Sequence, residues 1–254
     1  MVGHPTYLRL VPTALAAFVV CLSLAFWAAD SGAAPSERAT ATVIGSTTST
    51  PKPNCPTPNV DSLPPDEACQ AMARVTGFQV DADGRHNPYK VRQSGTIVAW
   101  GLDVSEPNKS EQEFFATAID KSGPPSARLS VLKPKEGGYK LIRQSAVVQL
   151  NSVLGTRPIF TLTDPLRVRK GMFVALTATT WISNLADAGA SAGDTWLTSR
   201  QPGQCGTEAS DSAAENEADL KKRSRPQQKV GGIREYACEY RGARILYRAY
   251  YVPK

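Results

Sequence analysis

Hydrophobic residues alternate with polar or small residues along most of the chain from about residue 78 onward. The rows of side chains two positions apart are Val98-Trp100-Leu102-Val104, Leu129-Val131, Phe160-Leu162, Leu166-Val168, Val174-Leu176-Ala178 and Ile245-Tyr247-Ala249-Tyr251. A period of two is typical of a strand that buries one face. Turn-forming pairs such as Asp83-Gly84 separate the rows, and strands do not alternate with helices. The pattern therefore predicts an all-β fold, an antiparallel β-sandwich or jelly roll.

One segment ahead of these rows has the signals of a short helix. Pro65 suits the first helical position, and the acidic residues Asp66 and Glu67 favour the positive end of a helix dipole. Gly77 can end the helix. The sequence predicts one short N-terminal helix over residues 65–75.

The first 33 residues have the organisation of an export signal. A short region that carries Arg9 and no acid precedes an apolar run over residues 10–29, and small residues follow at 31–33. This order predicts a signal peptide, or a signal anchor if cleavage does not occur, because about 20 apolar residues can also span a bilayer. In both cases the rest of the chain is expected outside the cell, either secreted or on the extracellular face of the cell envelope.

The remainder divides into a tether and a domain. Residues 34–54 are rich in Ala, Ser, Thr and Pro and predict a disordered, flexible tether. Residues 55–254 are expected to form a single β-sandwich domain. Within that domain, residues 206–232 carry acids and then bases with almost no apolar side chains, which predicts a solvated excursion from the fold.

The cysteines agree with export. Cys21 lies in the signal, and the four others are Cys55, Cys69, Cys205 and Cys238. An even number of cysteines in an oxidising compartment indicates two disulfides, for which three connectivities are possible. Proximity along the chain favours Cys55–Cys69 and Cys205–Cys238. A four-thiolate zinc site would need C-x-x-C pairs, and the sequence has none.

Charge and histidine content narrow the chemistry. The formal net charge is +6, and only two histidines are present, of which His86 alone follows the signal. This composition argues against multi-histidine metal sites and histidine-based catalysis, so we predict no metal, no cofactor and no catalytic residue. The basic residues Arg167, Arg169, Lys170 and those within 221–225 could contact an anionic polymer. Nucleic-acid binding is not expected, because no recognisable module is present.

Three short motifs resemble catalytic or metal-binding signatures without their context. Residues 189–193 spell G-x-S-x-G, but no histidine follows them. Residues 130–133 spell S-x-x-K, but the alternation predicts a strand there, which would place Ser and Lys on opposite faces. Residues 81–84 resemble the start of a calcium loop, but Arg85 and Arg92 occupy ligand positions, so a β-turn is expected.

Two tryptophans are the candidate ligand-binding residues. Trp181 has a strand parity opposite to the row Val174-Leu176-Ala178, which would place it on the solvent face, and Trp196 follows across a Gly-rich loop. Exposed aromatic rings on a sandwich can stack on the apolar faces of sugars. The alternative interpretation is that both rings lie in the core.

An ordered series of segments also carries a family resemblance. The series consists of residues 170–177, 180–181, 195–200, 205, 236–240 and 243–247. It resembles exported actinobacterial β-rich proteins with no assigned activity, and the resemblance covers about residues 91–253. It implies a β-rich extracellular domain, supports the pairing of Cys205 with Cys238 and implies no activity.

Together these features predict an exported, non-catalytic β-sandwich of the cell envelope that binds cell-wall polysaccharide or a protein partner. Membrane contact is expected only through an uncleaved N-terminal segment. One alternative is an extracellular glycan or ester hydrolase that uses two carboxylates, for which the available acids are Asp103, Glu106, Glu111 and Glu113. The other is a structural domain that presents a strand edge or the charged excursion to a protein.

Overall fold

Strands dominate the fold. A computed structural model describes residues 40–47, 51–56, 69–118, 123–187, 193–203, 205 and 228–254, all within one compact unit, Ala39–Lys254. The predicted signal, residues 34–39 and 48–50 of the tether, most of the G-x-S-x-G loop and most of the charged excursion lie outside the described residues. Among the described residues, no helix has the length and apolar composition needed to cross a membrane.

The described elements are seventeen strands and one helix. The first nine strands are β1 (Thr42–Ile44), β2 (Met72–Ala73), β3 (Thr76–Ala82), β4 (Arg85–His86), β5 (Gly95–Leu102), β6 (Ser126–Lys135), β7 (Gly138–Gln144), β8 (Val148–Gln149) and β9 (Ile159–Val168). The others are β10 (Phe173–Ala178), β11 (Trp181–Ile182), β12 (Leu185–Asp187), β13 (Thr195–Thr198), β14 (Ile233–Arg234), β15 (Cys238–Arg241), β16 (Ala243–Ile245) and β17 (Tyr247–Pro253). The helix α1 (Lys109–Ala118) lies between β5 and β6.

Two antiparallel sheets enclose the main core. One sheet has four strands in the order β1-β17-β5-β9. The other has nine strands, with β14-β7-β6-β10-β3-β13-β15 in order, β4 beside β3 and β8 beside β6. Side chains from both sheets, including Ile97, Trp100, Leu129 and Leu176, meet in one buried cluster. The predicted all-β, sandwich-like fold is confirmed.

The nine-stranded sheet also buries part of its outer face. A second cluster contains Phe78, Leu132, Phe173 and Tyr236, and the rings of Phe78 and Phe173 are 5.1 Å apart. All six residues of β10 are consequently buried. A strand covered on both faces needs apolar or small side chains at every position, which explains why Phe173 and Ala175 interrupt the alternation.

The alternation predicts most inward positions correctly and fails at one bulge. Ile245, Tyr247, Ala249 and Tyr251 are all buried, as predicted. In β5, however, both neighbouring strands pair with Ile97 and then with Ala99, so that Val98 is the extra residue of a β-bulge. A bulge shifts the side-chain parity by one position. Ile97 therefore enters the core in place of Val98.

The described helix is not the predicted one. Residues 65–68 of the predicted segment lie outside the described residues, while Met72–Ala73 forms β2 and pairs with Trp181–Ile182 instead of continuing a helix, because the pairing supplies backbone partners from a distant strand. The helix α1 starts at a reciprocal cap: Asn108 Oδ1 accepts from the Glu111 amide at 3.0 Å, and Glu111 Oε2 accepts from the Asn108 amide at 2.7 Å. This N-x-x-E capping box was readable in the sequence.

Parts of two segments that the sequence predicts to be flexible are ordered in the structure. Within the predicted tether, Thr42–Ile44 forms β1 and pairs with β17. At the end of the predicted excursion, Gln228 is buried; its Nε2 donates to the Tyr139 carbonyl at 2.7 Å, and its Oε1 accepts from Tyr236. Both segments gain order from long-range backbone partners that local composition does not reveal.

Both expected disulfides are formed, Cys55–Cys69 and Cys205–Cys238. Cys55, Cys69 and Cys205 lie outside the strands, whereas Cys238 is the first residue of β15. The second disulfide fixes Gln201–Gly203 against the start of β15, where Cys238 is buried and Cys205 is exposed. Two disulfides fit a protein that folds in an oxidising, extracellular environment.

Candidate functional site

The structure places Trp181 in the core, and its predicted position on the solvent face is wrong. The residue is 1% exposed. Its ring packs on Phe115 of α1 at 5.2 Å, and its Nε1 donates to the Gly123 carbonyl at 2.9 Å. The strand parity does not carry over because β10 ends at Ala178 and the chain bends before β11 begins.

Trp196 is buried as well, at 6% exposure. It lies on β13 between β3 and β15, and its ring stacks on Tyr240 with centroids 4.7 Å apart. The ring also covers Gly77 so closely that an added Cβ would lie 3.1 Å from it. Neither tryptophan presents a ring face to solvent, so the described structure offers no sugar-stacking platform at these two residues.

The acidic residues considered for hydrolysis serve the fold where the structure shows their contacts. Asp103 is buried and pairs with Arg248 at 2.6 Å and Arg157 at 3.5 Å. Glu111 caps α1. Within the described ranges, no group of three or more His, Cys, Asp or Glu residues could hold a metal ion.

The two rejected motifs that fall on described residues have ordinary structural roles. Ser130 is buried on β6 while Lys133 is exposed, so the S-x-x-K pair lies on opposite faces of a strand as predicted. Asp83 and Gly84 have φ values of 55° and 71° and form the turn between β3 and β4. The segment that follows this turn, residues 85–92, is a further candidate for ligand binding.

A groove of about 550 Å³ lies between β1 and the segment that follows this turn. One wall consists of residues 42–46. The other wall consists of Arg85, His86, Asn87, Pro88, Lys90 and Arg92, and Tyr251 of β17 also lines the cavity.

Glycine and tyrosine set how closely the two walls approach. Gly45 has φ +87° and lies directly over the Tyr89 ring, where any Cβ would overlap the ring. The Gly45 amide donates to the Pro88 carbonyl at 3.3 Å. Tyr89 is itself held below the groove by stacking on Tyr247 at 4.0 Å. Burial raises the pKa of Tyr89 well above its ordinary value, so the groove floor stays neutral.

Two arginines of the groove are braced on backbone carbonyls. Arg85 Nη1 donates to the Ser46 carbonyl at 3.2 Å, across the groove. Arg92 Nη2 donates to the carbonyls of His86 and Asn87 at 3.3 and 3.4 Å. A guanidinium has five N–H donors, so each arginine keeps most of its donors for a ligand while its position is fixed.

Among the described residues, the groove lining contains three basic side chains, Arg85, Lys90 and Arg92, and no carboxylate. The one described acid that contacts the lining is Asp81, whose Oδ1 lies 2.7 Å from His86 Nδ1. Both of these side chains are substantially exposed. The local field of the groove is therefore positive, which favours an anionic ligand.

A neighbouring turn extends this positive surface. The Lys170 amide donates to Ser94 Oγ at 3.1 Å and the Gly171 amide donates to the Val91 carbonyl at 2.9 Å, so the turn after β9 lies beside the segment that carries Arg92. We name the cationic surface from its members: Arg85, Lys90, Arg92, Arg167, Arg169 and Lys170. In the described part of the chain, none of the six forms an ion pair with a carboxylate.

Sequence reasoning found half of this surface. Arg167, Arg169 and Lys170 were candidates for anion contact, and residues 221–225 lie outside the described residues. Residues 85–92 were not among these candidates, although they contain Arg85, His86, Lys90 and Arg92 and no acid. That density of positive charge straight after a tight turn was the available signal. Comparison of the chain with known protein families, curated proteins and solved structures found no match.

Proposed function

We propose that this protein is an exported, non-catalytic β-sandwich that binds an anionic polymer of the cell envelope along the cationic surface. The observation that carries the proposal is a groove lined by Arg85, Lys90 and Arg92 with no acid among the described residues of its lining. Structural arginines normally have carboxylate partners, and uncompensated cations on a concave surface favour an anionic ligand from solution.

A polymer fits this surface better than a small ion does. Ion pairs between exposed groups contribute about 0–1 kcal/mol each, so one phosphate or carboxylate would bind weakly. A chain of anions that runs from the groove to the turn at Arg169 and Lys170 can contact several cations at once, and these contributions accumulate. The arginine forks suit phosphate and carboxylate groups alike.

The location agrees with such a ligand. The two disulfides fit an oxidising compartment, and the apolar run over residues 10–29 predicts export to the outside. Anionic polymers of the envelope are the partners that an exported cationic surface meets first. A carboxylate-dependent hydrolase gains no support from Asp103 and Glu111, because one is held by arginines and the other caps a helix.

The test is titration calorimetry with two soluble polyanions, long-chain polyphosphate and polygalacturonate, and with neutral dextran as the negative control. We expect both polyanions to bind at about 0.02 M salt and to bind much more weakly at about 0.5 M, where the Debye length falls from about 20 Å to about 4 Å. Stronger binding of one polyanion would assign the ligand to the phosphate or to the carboxylate class. Equal binding of dextran, or no binding of either polyanion at low salt, would contradict the proposal.

A matched pair of variants locates the site. Arg85→Gln with Arg92→Gln removes two charges from the groove, and Lys133→Gln with Lys135→Gln removes two exposed charges from the end of β6. We expect the groove variant to lose about tenfold in affinity at low salt, about 1.4 kcal/mol. The β6 variant should change the affinity less than twofold. Equal losses in both variants would indicate a general effect of net charge and would exclude the groove.

A further inference from the structure

One wall of the groove is held much less firmly than the other. The wall with Arg85 to Arg92 contains the buried Tyr89, whose ring stacks on Tyr247 and whose carbonyl accepts from the Val174 amide at 3.0 Å. The opposite wall, residues 42–46, contains a three-residue strand at the edge of the four-stranded sheet. Short edge strands are among the first parts of a fold to open.

Few contacts hold the edge wall in place. Its pairing with β17 spans three residues. Ile44 is the one buried side chain of β1, at 7% exposure, whereas Val43 is 40% exposed. Two further hydrogen bonds reach across the groove, from the Gly45 amide to the Pro88 carbonyl and from Arg85 to the Ser46 carbonyl.

The same contacts connect the edge wall to the ligand-binding cations. When residues 42–46 leave, Arg85 loses the carbonyl that fixes its guanidinium, and the groove loses one side. A ligand that needs both walls binds only the docked state, and by linkage it must stabilise that state to the same extent.

We propose that docking of residues 42–46 and binding of the anionic ligand are thermodynamically coupled, with Ile44 as the positioning residue that holds the wall. This inference rests on the proposed function and adds its regulation. The groove is complete only while β1 is docked, and ligand bound in the groove locks β1 onto β17. Capture of a polymer is thereby linked to the state of the chain segment that immediately precedes the domain.

The test compares the same substitution at a buried and at an exposed isoleucine, in the full exported chain with long-chain polyphosphate as the probe. Ile44→Ser removes the buried contact of β1, and Ile233→Ser removes an exposed side chain of the edge strand β14, which is not part of the groove lining. We expect Ile44→Ser to weaken polyphosphate binding about tenfold, within the range usual for coupled sites. Ile233→Ser should remain within twofold of the unsubstituted protein.

Amide hydrogen exchange supplies the readout that a general loss of stability would not give. In the unsubstituted protein, polyphosphate should slow exchange at residues 42–46. In Ile44→Ser, exchange there should be fast in the free protein while the core strand β10 keeps its protection. Gly45→Ala, which pushes the wall off the Tyr89 ring, should have the same effect as Ile44→Ser without a change at the buried contact.

Three results would overturn the coupling: unchanged affinity in Ile44→Ser despite fast exchange at 42–46, no slowing of this exchange by polyphosphate, or an equal loss of affinity in Ile233→Ser. Failure of the unsubstituted protein to bind polyphosphate or polygalacturonate is a different result. It would overturn the proposed function, and the coupling with it.

Discussion

Two groups of arginines in this protein lie in opposite surroundings. Arg244 is buried and contacts both oxygens of the fully buried Asp194, at 2.5 and 3.1 Å. Arg85 and Arg92 line an open groove and contact backbone carbonyls only. The residue type is the same in both groups. The partner of an arginine therefore shows whether it serves the fold or is available to a ligand.

The physical reason is the cost of desolvation. A guanidinium removed from water needs a carboxylate and further hydrogen bonds to offset the loss of hydration. Asp194 meets this need for Arg244 and also accepts from the Asp83 amide at 2.9 Å, which connects the β3–β4 turn to the start of β13. The groove arginines keep their hydration and need no such partner, so their charge remains available.

The largest loss of stability is expected when the buried partner of Arg244 is substituted. Asp194→Asn removes the charged carboxylate that contacts the buried Arg244 through both of its oxygens, which should lower the free energy of unfolding by about 3–5 kcal/mol. The control is Glu239→Gln, because Glu239 and Arg241 form an exposed pair at 2.8 Å and such pairs contribute about 0–1 kcal/mol. Urea unfolding measures both. Similar losses in the two variants would show that burial does not distinguish these pairs.

A smaller effect concerns the other polar groups of the buried region, which are neutral phenols. Burial raises the pKa of Tyr236 and of Tyr247 well above the ordinary value. Since unfolding restores the ordinary pKa of about 10, these phenols contribute stability below pH 10 that is lost as the pH rises further.

Tyr236→Phe tests the contribution of one phenol. The variant should lose about 1 kcal/mol at pH 7, because the hydroxyl no longer donates to Gln228 Oε1 at 2.8 Å. Its stability should then decline less steeply than that of the unsubstituted protein between pH 10 and higher pH, as measured by urea unfolding at a series of pH values. Parallel curves for the two proteins would contradict the assignment.

The smallest change in stability is expected when the two groove arginines are substituted. Arg85→Gln with Arg92→Gln should change the free energy of unfolding by no more than about 0.5 kcal/mol, because both residues are exposed and removal of like charges relieves repulsion. The same variant is expected to lose polyanion affinity. A loss of stability comparable to that of Asp194→Asn would assign these arginines to the fold and not to a ligand.

Part of the fold could be predicted from the sequence because it depends on local order. Alternation places Tyr247, Ala249 and Tyr251 correctly, since β17 runs through the middle of a sheet with one face on the core, and it also places Ile245 of β16 in the core. Alternation fails at Trp181, where a bend separates two short strands. A bend or bulge resets the parity without a clear sequence signal, so an aromatic residue just beyond one cannot be assigned to a face.

The groove could not be predicted because its walls are far apart in the chain. Residues 42–46 were expected to be a flexible tether, and their composition agrees with that expectation. They are ordered by β17, which lies about two hundred positions away. The basic residues at 85–92 were visible in the sequence, but no local pattern shows that they face a wall or which of them has an acidic partner.

The sequence by itself determined the all-β class and the positive charge of the chain and favoured the pairing of nearby cysteines, because periodicity, spacing and composition are local or additive properties. Only the tertiary structure decided that both tryptophans lie in the core and that Arg244 is compensated. It alone decided that Arg85 and Arg92 line a groove whose opposite wall contains β1. These properties depend on which distant segments pack together, and packing determines whether a charge meets a carboxylate, a carbonyl or water.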